Sequence, residues 1–180
     1  MCDKLFNEIE TVFQRSNNSN ELFDALQVAI SKKFCNPELY KILLANPALS
    51  NDELEMFTEK IAEEFTNCRY EIYNWTAQIF ENNFTDYSYL EKSIYYYQKA
   101  AISNPNEFSP LLSVLQLYSY DLPLPTNETI MQVVNIGIES VKQRAKLYYA
   151  MAEHFRKVGN IELERKYKSI AEKAAHNEDQ

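Results

Sequence analysis

The chain has 180 residues, 46% of them hydrophobic and 24% charged, with a formal net charge of -8. That length builds one sizeable core rather than two comfortable domains. The acidity argues against nucleic acid and anionic membrane surfaces as partners, since both are gripped by clustered Lys and Arg. Only two glycines occur, Gly137 and Gly159, too few for the positive-φ turns of an all-β or doubly wound α/β protein. What remains is a set of helices joined by short polar links.

Taken in order, Lys4 to Arg15 forms a first helix with Leu5, Ile9, Val12 and Phe13 on one face. A polar turn, residues 16–20, leads to a second helix carrying Leu22, Phe23, Leu26, Ala29, Ile30 and Phe34. Asn36-Pro37 restarts the chain as cap and first helical residue, and Asn46-Pro47 stops a short third helix. Ser50 and Glu53 make a capping box for a fourth, with Leu54, Phe57, Ile61 and Phe65 inside. The fifth, Tyr70 to Asn83, carries Ile72, Tyr73, Trp75, Ile79 and Phe80. The sixth, within Tyr87 to Pro105 and closed by a proline turn, places Leu90, Ile94, Tyr97 and Ala101 on one face.

Asn104-Pro105 repeats the cap-plus-proline start and predicts a seventh helix through Phe108, Leu111, Leu112, Leu115 and Tyr118. Pro123 and Pro125 predict an extended link from Asp121 to Thr126, with Thr126 or Asn127 capping an eighth helix to Val141. Leu147, Met151, Ala152 and Phe155 mark the ninth helix, and Gly159-Asn160 turns into a tenth from Glu162 to about Ala175. Residues 177–180 read as a frayed tail.

Ten helices make five antiparallel pairs, near residues 2–34, 35–67, 68–104, 105–142 and 143–176, within one helical domain. The pairs restart near Cys2, Cys35, Cys68, Pro105 and Gln143, at intervals of 33, 33, 37 and 38 residues by position. That is close to the period of about 34 of helix-turn-helix arrays.

Two stretches go further. In residues 74–105, Ala77, Phe80 and Phe84 precede Ser93, Tyr97, Ala100 and Pro105. In residues 145–174, Met151-Ala152, Phe155, Gly159 and Ala171 follow the same order, while Glu164 and Lys168 stand where a small residue and an aromatic are usual. Both resemble tetratricopeptide repeats (TPRs). The stretch from Phe108 to Val141 fits in part, and the first two pairs fit by length and hydrophobic period.

The resemblance implies an all-α solenoid, a TPR-like superhelix, in which each hairpin covers its neighbour's apolar flank. It also implies a concave groove lined by the first helix of each pair. On that pattern the groove receives Trp75, Gln78 and Asn82, then Leu112 and Gln116, then Lys146, Tyr149, Glu153 and Arg156. Lys146 and Arg156 form a local basic pair of the kind that holds a peptide carboxylate.

Other features have plainer readings. Of Tyr95, Tyr96 and Tyr97, adjacent on a helix, Tyr97 is expected in the core and its neighbours at seams with wet hydroxyls. Trp75 is core, seam or anchor. Glu172 and His176 have metal-pair spacing but no further ligands, and a Cys–His nucleophile would need His154. No Walker loop, GxSxG or HExxH occurs, so no catalytic residue, metal site or cofactor is expected.

Three cysteines without a CxxC pair point to a reducing compartment. No leader-like start and no membrane-length apolar run is present, and a cytoplasmic protein is expected. The leading expectation is a non-catalytic adaptor or scaffold for a peptide or protein partner, a second copy of the chain included. The alternatives are a dedicated chaperone, resembling the acidic TPR-type chaperones of secretion systems, and an enzyme with a helical-bundle site.

Overall fold

The computed structural model of the chain describes residues 2–83, 86–119 and 121–178. Phe84, expected in the first helix of the 74–105 motif, lies outside them, as do residues 179 and 180 of the tail. Among the described residues there are ten α-helices, one 3-10 turn and no strand. The helices are α1 (Cys2–Arg15), α2 (Ser19–Ser31), α3 (Pro37–Leu44), α4 (Asn51–Glu64), α5 (Arg69–Asn82), α6 (Tyr87–Ser103), α7 (Ser109–Gln116), α8 (Leu124–Ser140), α9 (Arg144–Lys157) and α10 (Ile161–Glu178). The chain divides into two compact units, Met1–Tyr96 and Tyr97–Gln180, and the division falls inside α6.

Local chemistry sets most helix ends in the first unit. The Asn36 side chain accepts from the Glu38 amide at 3.0 Å, and Ser50 and Glu53 cap α4 reciprocally. Bonding to the Ser50 amide holds the Glu53 carboxyl below its usual range. Helix α2 ends at Ser31, short of Phe34. Lys33 takes a left-handed φ of 55°, while the Lys33 and Phe34 amides turn back to the carbonyls of Ile30 and Ala29. This is the usual left-handed helix termination, here with lysine where glycine is preferred.

Helix α1 packs on α2 and α3, α3 on α4 and α5, and α4 on α5. The α4–α5 crossing is close because Thr58 and Thr76, both fully buried, share a hydroxyl–hydroxyl bond of 2.9 Å. Phe23 of α2 meets Phe57 of α4 at 6.0 Å between centroids. Helix α4 meets the start of α6 through Asn51 Nδ2, which donates to Tyr89 Oη at 2.9 Å, and through the Glu55–Lys92 ion pair. Odd-numbered helices therefore touch in the order α1, α3, α5, and even-numbered ones in the order α2, α4, α6.

Tyr97 is buried as expected, but so is Tyr96, at 1% exposure. Its ring stacks 5.8 Å from Phe80 and lies 6.0 Å from Tyr73. Successive helical residues are only 100° apart, and a wide buried face admits both rings. Tyr95, at 50%, is the exposed one.

In the second unit α7 packs on α8 and α9, α8 on α9, and α9 on α10. Gly137 permits the α7–α8 approach: a Cβ there would sit 2.4 Å from Leu111 Cδ2. The seventh helix begins at Ser109, not near Pro105, because Asn104 closes a turn by accepting from the Glu107 amide. The eighth begins at Leu124, earlier than the prolines suggest, with Pro125 inside the first turn where no amide is needed. Asn127 caps nothing. Its Nδ2 donates to the Ser119 carbonyl at 2.6 Å and its Oδ1 accepts from the Ser119 amide, tying α8 to the end of α7. Helix α10 continues through Glu178, whose Oε1 accepts from the Ala145 amide at 3.0 Å in the first turn of α9. Gly159, at φ 79°, makes the turn between these two helices.

Candidate functional site

Trp75 lies in the second turn of α5, half-buried. Its Nε1 donates at 3.0 Å to the carbonyl of Lys41, near the C-terminal end of α3. The same carbonyl accepts from the Ala45 amide that closes that helix, so both its lone pairs are engaged. The Lys41 ammonium stands 5.9 Å from the indole centroid and pairs with Glu38 Oε1 at 2.6 Å. The indole is thus held by a backbone bond and by a cation beside its ring.

Around it is an open cleft of about 550 Å³, bounded by Phe13 and Gln14 of α1, Glu38, Lys41 and Ile42 of α3, the turn of Ala45, Asn46 and Pro47, and Trp75. Asn46 fixes this turn. Its Nδ2 donates to the carbonyls of Phe13 (2.9 Å) and Ser16 (3.0 Å), and its Oδ1 accepts from the Ala48 amide (2.8 Å). One of the last carbonyls of α1, that of Phe13, which has no partner within its own helix, is thereby satisfied, together with that of Ser16 just beyond the helix end. The volume lies within the range of small-ligand clefts, the walls are mainly apolar, and the one ion pair is neutral overall. Such a hollow suits an uncharged, mainly apolar group better than a phosphate or a metal.

The nine residues expected to line a groove fall into two sets. Trp75, Gln78 and Asn82 are in the first unit, where Gln78 is half-buried one turn beyond Trp75 and Asn82 is exposed at the last position of α5. In the second unit Leu112 is half-buried in α7 and Gln116 is exposed at its end. Lys146, Tyr149, Glu153 and Arg156 are all exposed on α9, and their spacing of three, four and three puts them on one face.

Glu153 and Arg156 meet in a bidentate pair, Nε to Oε2 at 2.8 Å and Nη2 to Oε1 at 2.6 Å. That pair lowers the Glu153 carboxyl below its ordinary value. A carboxylate approaching Arg156 from outside must displace its neighbour's.

Phe13, Gln14, Glu38, Lys41 and Asn46 were not among the expected site residues. One signal pointed to some of them. Asn46 reaches Phe13 across 33 positions and Trp75 reaches Lys41 across 34, so each pair is one hairpin period apart.

Two other hollows lie in the second unit. One, beside Ile102, Leu111, Ile136 and Gly137, holds only about 50 Å³, below what a ligand site needs. The other, about 590 Å³, is a shallow mixed-charge surface between the end of α8 and the end of α10. His154 is half-buried against the rings of Tyr118 and Phe155. Among the described residues no three His, Cys, Asp or Glu side chains converge on a metal-sized site, and no helix is long and apolar enough to cross a membrane. No protein-family model, curated protein or solved structure matches the chain.

Proposed function

We propose that this chain is a non-catalytic interaction module of TPR-like repeats, and that it holds a peptide or protein segment in the cleft beside Trp75. The observation that carries the reading is the tryptophan itself. It is the single tryptophan of the chain, half-buried, bonded through its N–H to the neighbouring hairpin, and part of the wall of a cleft of side-chain size. A pre-fixed aromatic in the wall of an open, mainly apolar cleft is an arrangement suited to an interface anchor.

Two features support the repeat architecture. Contacts between successive hairpins join residues 33 or 34 positions apart, and the odd-numbered helices of the first unit touch in succession. In a solenoid that row is the one facing a bound segment. The partner expected is an extended or helical segment offering one apolar side chain to the cleft, with amides placed for Gln14 or Gln78. The setting proposed is the cytoplasm, and the reading calls for no cofactor.

The test uses peptides selected from a display library against the intact chain. Binders should change the emission of Trp75, and Trp75→Ala should weaken them by more than about tenfold while far-UV circular dichroism stays helical. Binders whose affinity survives Trp75→Ala would refute the cleft. Binders lost instead with Lys146→Ala and Arg156→Ala would move the site to α9.

A further inference from the structure

We propose that Cys35 and Cys68 form a reversible intramolecular disulfide, making the junction of the second and third hairpins a site of oxidation by hydroperoxides. Cys35 lies between α2 and the Asn36 cap of α3, and Cys68 ends the 3-10 turn that leads into α5. Their Sγ atoms are 3.2 Å apart. A disulfide needs about 2.05 Å, so the sulfurs have only about 1 Å left to close. The two thiols are unequal: Cys35 is exposed and Cys68 is 3% exposed. Cys35 also donates to Asn67 Oδ1 at 3.2 Å, which keeps its sulfur turned toward the turn that holds Cys68.

This asymmetry divides the chemistry. The exposed Cys35 thiol gives up the proton that it donates to Asn67, and its sulfur attacks one peroxide oxygen. The O–O bond breaks, the departing oxygen takes up a proton as water or alcohol, and Cys35 becomes a sulfenic acid. The Cys68 sulfur then attacks the Cys35 sulfur, the S–O bond breaks, and hydroxide leaves as water with the Cys68 proton. Two thiols lose two electrons and two protons, and one peroxide is reduced.

Burial, helped by the Cys35 contact and by Glu71, pushes the Cys68 thiol up to about 12. It therefore keeps its proton at neutral pH and is not the thiol that meets peroxide; what makes it the resolving partner is its place 3.2 Å from the Cys35 sulfur, and its proton leaves with the departing hydroxide as the new bond forms. The bond would tie together the starts of α3 and α5, the helices that carry Lys41 and Trp75. The proposal stands whether or not the cleft binds a peptide.

The experiment treats the full chain, with Cys2→Ser so that only these two thiols count, with hydrogen peroxide. The expected product has lost both free thiols and two hydrogens in intact mass, and gives a linked pair of peptides on digestion. It reverts with dithiothreitol and melts on the order of 10 °C higher, as monitored by Trp75 emission. Adding Cys68→Ser should leave a sulfenic acid on Cys35 that a cyclic diketone traps, with no rise in melting temperature. Adding Cys35→Ser, a change at an exposed site that the fold tolerates, should leave Cys68 inert to peroxide. Oxidation of Cys35 to sulfinic acid with Cys68 still titratable would overturn the proposal, as would dimers linked through Cys35.

Discussion

Replacing Asn46 with alanine should be among the most damaging single changes in the first unit. The side chain makes three hydrogen bonds, to the carbonyls of Phe13 and Ser16 and from the amide of Ala48. Each is worth about 0.5–1.5 kcal/mol net. The losses are unequal. Ser16 and Ala48 are half-buried and can turn to water, whereas Phe13 is fully buried, and a stranded carbonyl there costs about 1–3 kcal/mol. The expected loss is about 2–4 kcal/mol, a fall in melting temperature on the order of 10–20 °C for a unit of this size.

Trp75 is the only tryptophan and lies in the same unit, so its emission during urea or thermal unfolding follows the relevant transition. Asn46→Asp keeps the acceptor for Ala48 but sets a carboxylate against two carbonyl oxygens. It should be worse than alanine at neutral pH. The folded state favours the protonated acid, so the raised folded pKa gives stability that is present below the unfolded pKa and lost as pH rises through the folded one. An Asn46→Ala variant within about 0.5 kcal/mol of the parent, or an Asp variant as stable as the parent at neutral pH, would refute this account of the turn.

Three further outcomes follow from single groups. Lys33→Gly should raise the urea midpoint, by about 0.5–1 kcal/mol of stability, because lysine holds a left-handed backbone there; an unchanged or lower midpoint would mean that the lysine side chain contributes more than its backbone loses. Ser93 is fully buried in α6 and its Oγ has no hydrogen-bond partner among the described residues, so Ser93→Ala should be neutral or stabilising by up to ~1 kcal/mol, and a clear loss in thermal melts would contradict that. Burial, with Lys157 as a smaller cause, holds the His154 pKa below its usual value. Its contribution to stability is therefore present above about pH 6.5 and lost as pH falls through the lower folded value; His154→Phe should flatten this acid slope in melts followed by circular dichroism, and an equal slope in both proteins would exclude the imidazole as its source.

Much of the helical organisation was legible because capping is local. Asn36-Pro37 and the Ser50–Glu53 box specify their helix starts within four residues, and both appear as read. Asn104-Pro105 carries the same signal and starts no helix. There the Glu107 amide turns back on Asn104, and a second proline, Pro110, takes the start instead; the dipeptide alone does not choose between them. Asn127 looked like a cap and is a cross-brace to Ser119, a role set by the position of α7 and not by neighbours in sequence.

Of the candidate cleft, only Trp75 was legible in the sequence. Trp75 stands out as a lone tryptophan, but the groups that hold it, Lys41 and the Asn46 turn, lie one hairpin away, and their link to it appears only when the period is laid over the contacts. The cysteine interval of 33 residues was visible from the start. Its meaning as a thiol–thiol contact required the fold, since equal spacing places two residues at equivalent points of successive hairpins without saying which way they point.

The Glu178 carboxylate seated on the Ala145 amide has a consequence for dynamics. That amide has no carbonyl four residues behind it in its own helix, so its protection against solvent deuterium depends on the far end of α10 staying wound. Its exchange rate is therefore a remote gauge. Whatever loosens the last turn of the final helix will register at the opening of the one before it, long before either melts.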